Sequence, residues 1–101
     1  MASNKDKVIC ETPTPGKKPT RIDKWKYDLV RAAILKILSQ NASGVEFRQL
    51  PEMVAERMQP DELRNLGSMT WYTTTVKLDL EVKGEIERIP GSSPQRLRRA
   101  K

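Results

Sequence analysis

The chain has 101 residues, a formal net charge of +6, no histidine and a single cysteine. The missing histidine excludes imidazole metal sites and Ser-His-Asp or Cys-His nucleophile systems, and the lone Cys10 excludes an internal disulfide or a thiolate zinc site. The length holds one small domain, and the basic balance favours nucleic acid or another acidic surface as partner.

No stretch of about 18 apolar residues occurs, so no membrane partner is expected. The N-terminal region is polar rather than an apolar signal core, which predicts a cytoplasmic chain. No Walker-type or GxGxxG loop is present, and the glycines at 16, 44, 67, 84 and 91 are spaced as turn punctuation. No enzyme, cofactor or metal site is therefore expected.

Residues 1–19 read as a flexible basic tail with Pro13, Pro15, Gly16 and Pro19. Such a segment buries too little apolar surface to offset its ordering entropy. Its alternative role is a basic arm on DNA, with Lys17, Lys18 and Arg21 at its base. Residues 20–101 are expected to form the folded domain.

The first helix is expected over residues 24–39 behind Asp23 as N-cap, with Tyr27, Val30, Ile34, Ile37 and Leu38 as its core stripe. Gly44 allows a tight turn into a short strand at residues 45–47. Pro51 fits only the first turn of a second helix, which is expected to run from residue 48 or 49 to 58. Residues 60–66 read as a linker with a possible helical turn, pinned by Leu63 and Leu66.

The third helix starts at Ser68 and closes before Gly84. At about 100° per residue, Met69, Tyr72, Val76 and Leu80 make its core face, with Thr73 inside it. Thr70, Thr74, Lys77 and Glu81 form a polar strip, of which Thr70, Thr74 and Lys77 are the candidate DNA contacts. Trp71, Thr75, Leu78 and Val82 form a second apolar stripe, and Trp25 and Leu29 are a similar surplus on the first helix. Either the wing, the linker or residues 12–22 fold over this surplus, or Trp25, Leu29, Trp71, Leu78 and Val82 are buried in a homodimer.

Glu85 to Ile89 is a β-prone run, residues 90–94 are a turn cluster, and a basic return strand follows with Leu97 inward. Arg88, Arg96, Arg98 and Arg99 are the candidate phosphate contacts. The small side chains of Ser92 and Ser93 let backbone N–H groups approach phosphates as well.

A Gly-terminated helix followed by a basic hairpin resembles the second half of a winged helix-turn-helix domain. The segment TVKLDLEVKGEIER carries that resemblance, with Leu80 and Ile86 at its core positions. The segments GKKPTRIDKWKYDLVRAAILKIL, SMTWYTTTVKLDLEVKGEIERI and PQRLR are similar to a family of short, uncharacterised bacterial proteins. Trp71, the Leu-rich helix and Gly84 are also similar to the N-terminal winged domain of Mrr-type restriction proteins, a DNA-targeting module. These resemblances imply an α+β, mainly α fold of three helices plus a small hairpin wing. They imply binding to double-stranded DNA, with transcription regulation as one role for it. The alternative is a protein–protein interaction module on the same scaffold.

Overall fold

The computed structural model describes residues 6–100; Lys5 and Lys101, at the two basic ends of the chain, lie outside the described residues. In chain order the elements are β1 (Lys7–Cys10), β2 (Thr20–Asp23), α1 (Lys24–Ser39), β3 (Val45–Glu46), α2 (Leu50–Ala55), α3 (Pro60–Leu66), α4 (Met69–Val82), β4 (Ile86–Arg88) and β5 (Arg96–Arg99), with a 3-10 turn at Phe47–Gln49 leading into α2. Among the described residues there are two small antiparallel sheets, one of order β1-β2 and one of order β3-β5-β4. No described helix is long and apolar enough to cross a membrane.

The stripe expected on α1 forms the centre of the core: Tyr27, Val30, Ile34, Ile37 and Leu38 are all buried. They meet Val76 and Leu80 of α4, Leu50 and Val54 of α2, and Ile86 and Leu97 of the sheet. Helix α1 packs on both α4 and β5, so the two long helices and the three-stranded sheet enclose one core.

Helix α2 is shorter than expected. After Ala55 the chain continues through tight turns, with Arg57 N–H donating to the Val54 carbonyl and Met58 N–H to that of Ala55. The expected linker is a helix in its own right, which makes four helices instead of three among the described residues. Pro60 pre-sets its first turn, and Gln59 N–H donates to Glu62 Oε1 at 2.8 Å. Leu66 pins α3 to the core, whereas Leu63 is exposed. The Lys26 ammonium holds the end of α3 to α1 by donating to the Leu66 carbonyl at 2.9 Å.

Helix α4 starts as expected, Trp71 N–H donating to Ser68 Oγ at 3.2 Å. It stops at Gly84, whose φ of +76° only glycine adopts readily. Glu85 N–H then closes the helix end on the Leu80 carbonyl at 3.0 Å. Gly44 has a φ of +101°, and a Cβ there would run into the Ile89 side chain and lie 3.3 Å from the Leu97 carbonyl oxygen. The turn before β3 therefore accepts no other residue without displacing the wing.

The expected flexible tail is corrected over residues 7–10. They form β1, paired with β2 in the register Val8↔Ile22 and Cys10↔Thr20. Alternation turns Cys10 and Ile22 into the core and leaves Ile9 and Arg21 outside. Asp23 stands at the start of α1 without capping it; its carboxylate pairs with Lys7 and closes the hairpin. What anchors the hairpin to the helices is a buried carboxylate. Asp79 of α4 accepts from the Tyr27 hydroxyl of α1 at 2.6 Å, from the Lys83 ammonium at 2.7 Å and from the Glu11 backbone N–H at 2.9 Å. Burial opposes its charge, but the donors win and hold its pKa below the usual carboxylate value.

Replacing Asp79 by Ala should cost about 2–4 kcal/mol, because Tyr27 and Glu11 N–H lose a charged acceptor inside the fold. A urea titration measures it. The folded-state pKa of Asp79 is depressed, so its contribution is complete above the unfolded carboxylate value and disappears as pH falls through the folded one. The wild-type midpoint should therefore drop more steeply below about pH 4 than that of Asp79→Asn.

Candidate nucleic-acid interface

Most of the anticipated contacts on α4 and the wing have a structural partner already. Lys77 is the clearest correction, being only 2% exposed. Its ammonium lies 4.4 Å from the centre of the Phe47 ring and 3.3 Å from Glu81 Oε2. Burial pushes its pKa down, and Glu81 opposes that shift. Lys77 therefore does not face solvent, and it cannot reach a base edge without unpacking Phe47.

Arg88 is exposed but engaged, its Nε 2.6 Å and its NH2 group 3.3 Å from the two Glu81 oxygens. Arg98 donates to Glu87 at 2.6 Å across the β4–β5 ladder. Both stitch the wing to itself or to α4. Ser92 is also structural: its hydroxyl donates to the Ile89 carbonyl and accepts from Arg96 N–H, which shapes the turn before the cis Ser93–Pro94 peptide. Ser93 is exposed at the same turn.

The remaining candidates stay available. Arg96 has no carboxylate within ion-pair distance, and neither do Lys17, Lys18 and Arg21, among the described residues. Arg99 donates to the Ser39 hydroxyl at 2.9 Å and stays exposed. Thr70 is exposed and Thr74 half-buried; together they line one side of an open groove whose other side is Phe47, Arg48 and Pro51.

Arg48 was not anticipated. It lies two residues past β3, its side chain is 71% exposed, and its Nε lies 2.9 Å from Glu46 Oε1. Glu46 is the ladder partner of Arg96, which places both arginines at the root of the wing. The signal available in sequence was the pattern Glu46-Phe47-Arg48 beside a strand, which is visible only once β3 is paired with β5.

The apolar surplus is divided. Trp25 lies beside Asn65, Leu29 beside Met58, and Trp71 and Leu78 beside the loop of residues 11–19. These are three separate depressions, and Val82 lines none of them. The 12–22 segment covers part of the second α4 stripe. Leu78 is half-buried beneath it, while Trp71 and Val82 remain 44% and 46% exposed.

The molecule is thus a small α+β protein in which a β-hairpin and a three-stranded sheet flank a helical core. A protein-family model described as a family of unknown function (DUF6958) matches residues 7–97, and the chain belongs to that family. The match begins at the first residue of β1, so the hairpin lies within the shared region. No curated protein and no solved structure matches the chain.

Lys77→Met, of similar volume and apolar, should leave the stability within about 1 kcal/mol, since a buried ion pair adds little over a well-packed hydrophobe. Lys77→Glu should cost more than about 3 kcal/mol by burying two carboxylates together. Thermal or urea unfolding of the two variants separates a packing role from an exposed one.

Proposed function

We propose that the chain is a winged helix-turn-helix protein that binds double-stranded DNA without catalysis. The observation that carries this reading is the sheet order β3-β5-β4 beside a Ser-capped, Gly-terminated helix, with cations lacking a close carboxylate partner at the rim. The start of α4, with Thr70 and Thr74, enters the major groove. Arg96 and Arg99 hold phosphates around it, joined by Arg48, which is 71% exposed and leaves its single contact with Glu46 to do so, and Lys17, Lys18 and Arg21 extend the basic surface along the hairpin. Arg88 and Arg98 set the shape of the wing and contribute long-range charge only.

A second reading is favoured by one specific feature. The outer face of α4 presents Trp71 and Val82 and no unpaired cation, which suits a protein partner better than a polyanion. A homodimer is one such partner.

Binding to random-sequence duplex by fluorescence anisotropy discriminates the two. Four or five phosphate contacts predict a loss of affinity of about two to three orders of magnitude between 50 and 200 mM salt. Arg48→Ala with Arg96→Ala should reduce the salt slope by about 2, and Arg88→Ala should change it less. Absence of binding at 50 mM salt would overturn the DNA reading and leave the α4 face to a protein.

A further inference from the structure

The groove between the 11–19 loop and α4 has a volume of about 260 Å³ and an unusual supply of donors. Lys17, Lys18 and Thr14 stand on its loop side, and Trp71, Thr74 and Thr75 on its helix side. Among the described residues, neither ammonium group has a hydrogen-bond or ion-pair partner. The hydroxyls of Thr14, Thr74 and Thr75 and the Trp71 indole N–H likewise have none. Two lysines, three threonines and a tryptophan thus line one concavity, and none of their side-chain donors has a partner among the described residues. Donors left without a protein partner around a concave site suit an anion, and the half-exposed Trp71 ring adds a flat apolar surface next to them.

Glu11 lines the same groove with its carboxylate free of any ion pair; only its backbone N–H is engaged, on Asp79. It lowers the local charge from two lysines to a net of one, and it supplies an acceptor. A bare inorganic anion makes no use of that acceptor or of the ring. A ligand with a phosphate, a planar ring and hydroxyl or amino donors makes use of all three.

We infer that this groove binds a single nucleotide: phosphate on Lys17, Lys18 and the threonine hydroxyls, base against Trp71, and a sugar hydroxyl or base amino group on Glu11. The volume lies just under the range of small-ligand pockets, about 300–1,000 Å³, so the groove encloses only part of a nucleotide and leaves the rest in solvent. The site stands on the hairpin and the outer face of α4, apart from the wing; it shares Lys17, Lys18 and Thr74 with the surface proposed for duplex DNA, so the two ligands compete there. The nucleotide is either free or one residue of a single strand.

The test is fluorescence titration of the full chain carrying Trp25→Phe, so that Trp71 alone reports. The probes are adenosine monophosphate, guanosine monophosphate, adenosine, inorganic phosphate and a short oligothymidylate. The expected result is saturable quenching by the monophosphates, with adenosine and inorganic phosphate each at least about tenfold weaker. Lys17→Ala with Lys18→Ala should weaken the monophosphates by about tenfold or more at unchanged melting temperature. Thr74→Val with Thr75→Val, nearly isosteric, tests the helix side if the lysine variant folds poorly. Tighter binding of the oligothymidylate than of the monophosphates assigns the source to a single strand, and the reverse assigns it to a free nucleotide. No saturation by any probe up to about 10 mM, equal affinity for adenosine and its monophosphate, or indifference to both double variants overturns the site. Duplex binding that fails while the monophosphates still bind removes the DNA reading alone.

Discussion

Asp79 is the constraint on which the other elements depend. A carboxylate inside a small fold is costly unless its oxygens are satisfied, and here the donors come from three places: Tyr27 on α1, Lys83 one turn along α4, and the backbone beyond β1. Only the last of these is supplied by the N-terminal hairpin. Docking of that hairpin therefore completes the solvation of an anion that the helix pair has already buried. The same charge acts on its neighbour: burial first, and then Asp79, push the Cys10 thiol up to about 11. Cys10 is consequently a small core hydrophobe and a poor nucleophile at neutral pH.

Positive charge is distributed by the same logic. Three cations that read as a basic face in sequence are consumed internally. Lys77 and Arg88 share Glu81, joining α4 to β4, and Arg98 pairs across the wing with Glu87. Arg31 and Glu85 tie α1 to the start of the same strand. The charge that remains for a partner includes Lys17, Lys18 and Arg21 on the hairpin and Arg96 and Arg99 on the wing, with Lys36, Arg57 and Arg64 on the helical side. An elongated anion lying across the start of α4 meets the hairpin and the wing, whereas a compact one meets only the hairpin.

The helical part of the fold was legible because its signals are local. The stripe of α1, the Ser68 cap, the Gly84 stop and the inward Leu97 each follow from spacing within a few residues. The hairpin was not legible for the opposite reason. Val8, Ile9 and Cys10 make a short apolar run among charges, and what orders it is an acceptor 68 residues away from Glu11. Lys77 failed in the same manner: its polar strip lies between the core face and the outer face, and Phe47, far off in sequence, decides that it turns inward. The i,i+4 spacing of Lys77 and Glu81 was a usable local hint of pairing. Of the candidate interface, Thr70, Arg96, Lys17 and Lys18 keep accessible positions, and Arg48 joins them through a strand pairing that no local pattern reports.

The strand order has a consequence for how the chain assembles as it is made. β5 comes last in sequence yet lies at the centre, bonded to β3 on one side and to β4 on the other. Neither β3 nor β4 has a ladder partner until residues 96–99 have been synthesised, so Val45 and Ile86 lack their strand cover until β5 has emerged. The helices can collapse early on contacts close in sequence, but the sheet is a single late event that closes two ladders at once. The wing is for that reason the last part of this fold to close, and its two outer strands are held in common by four residues.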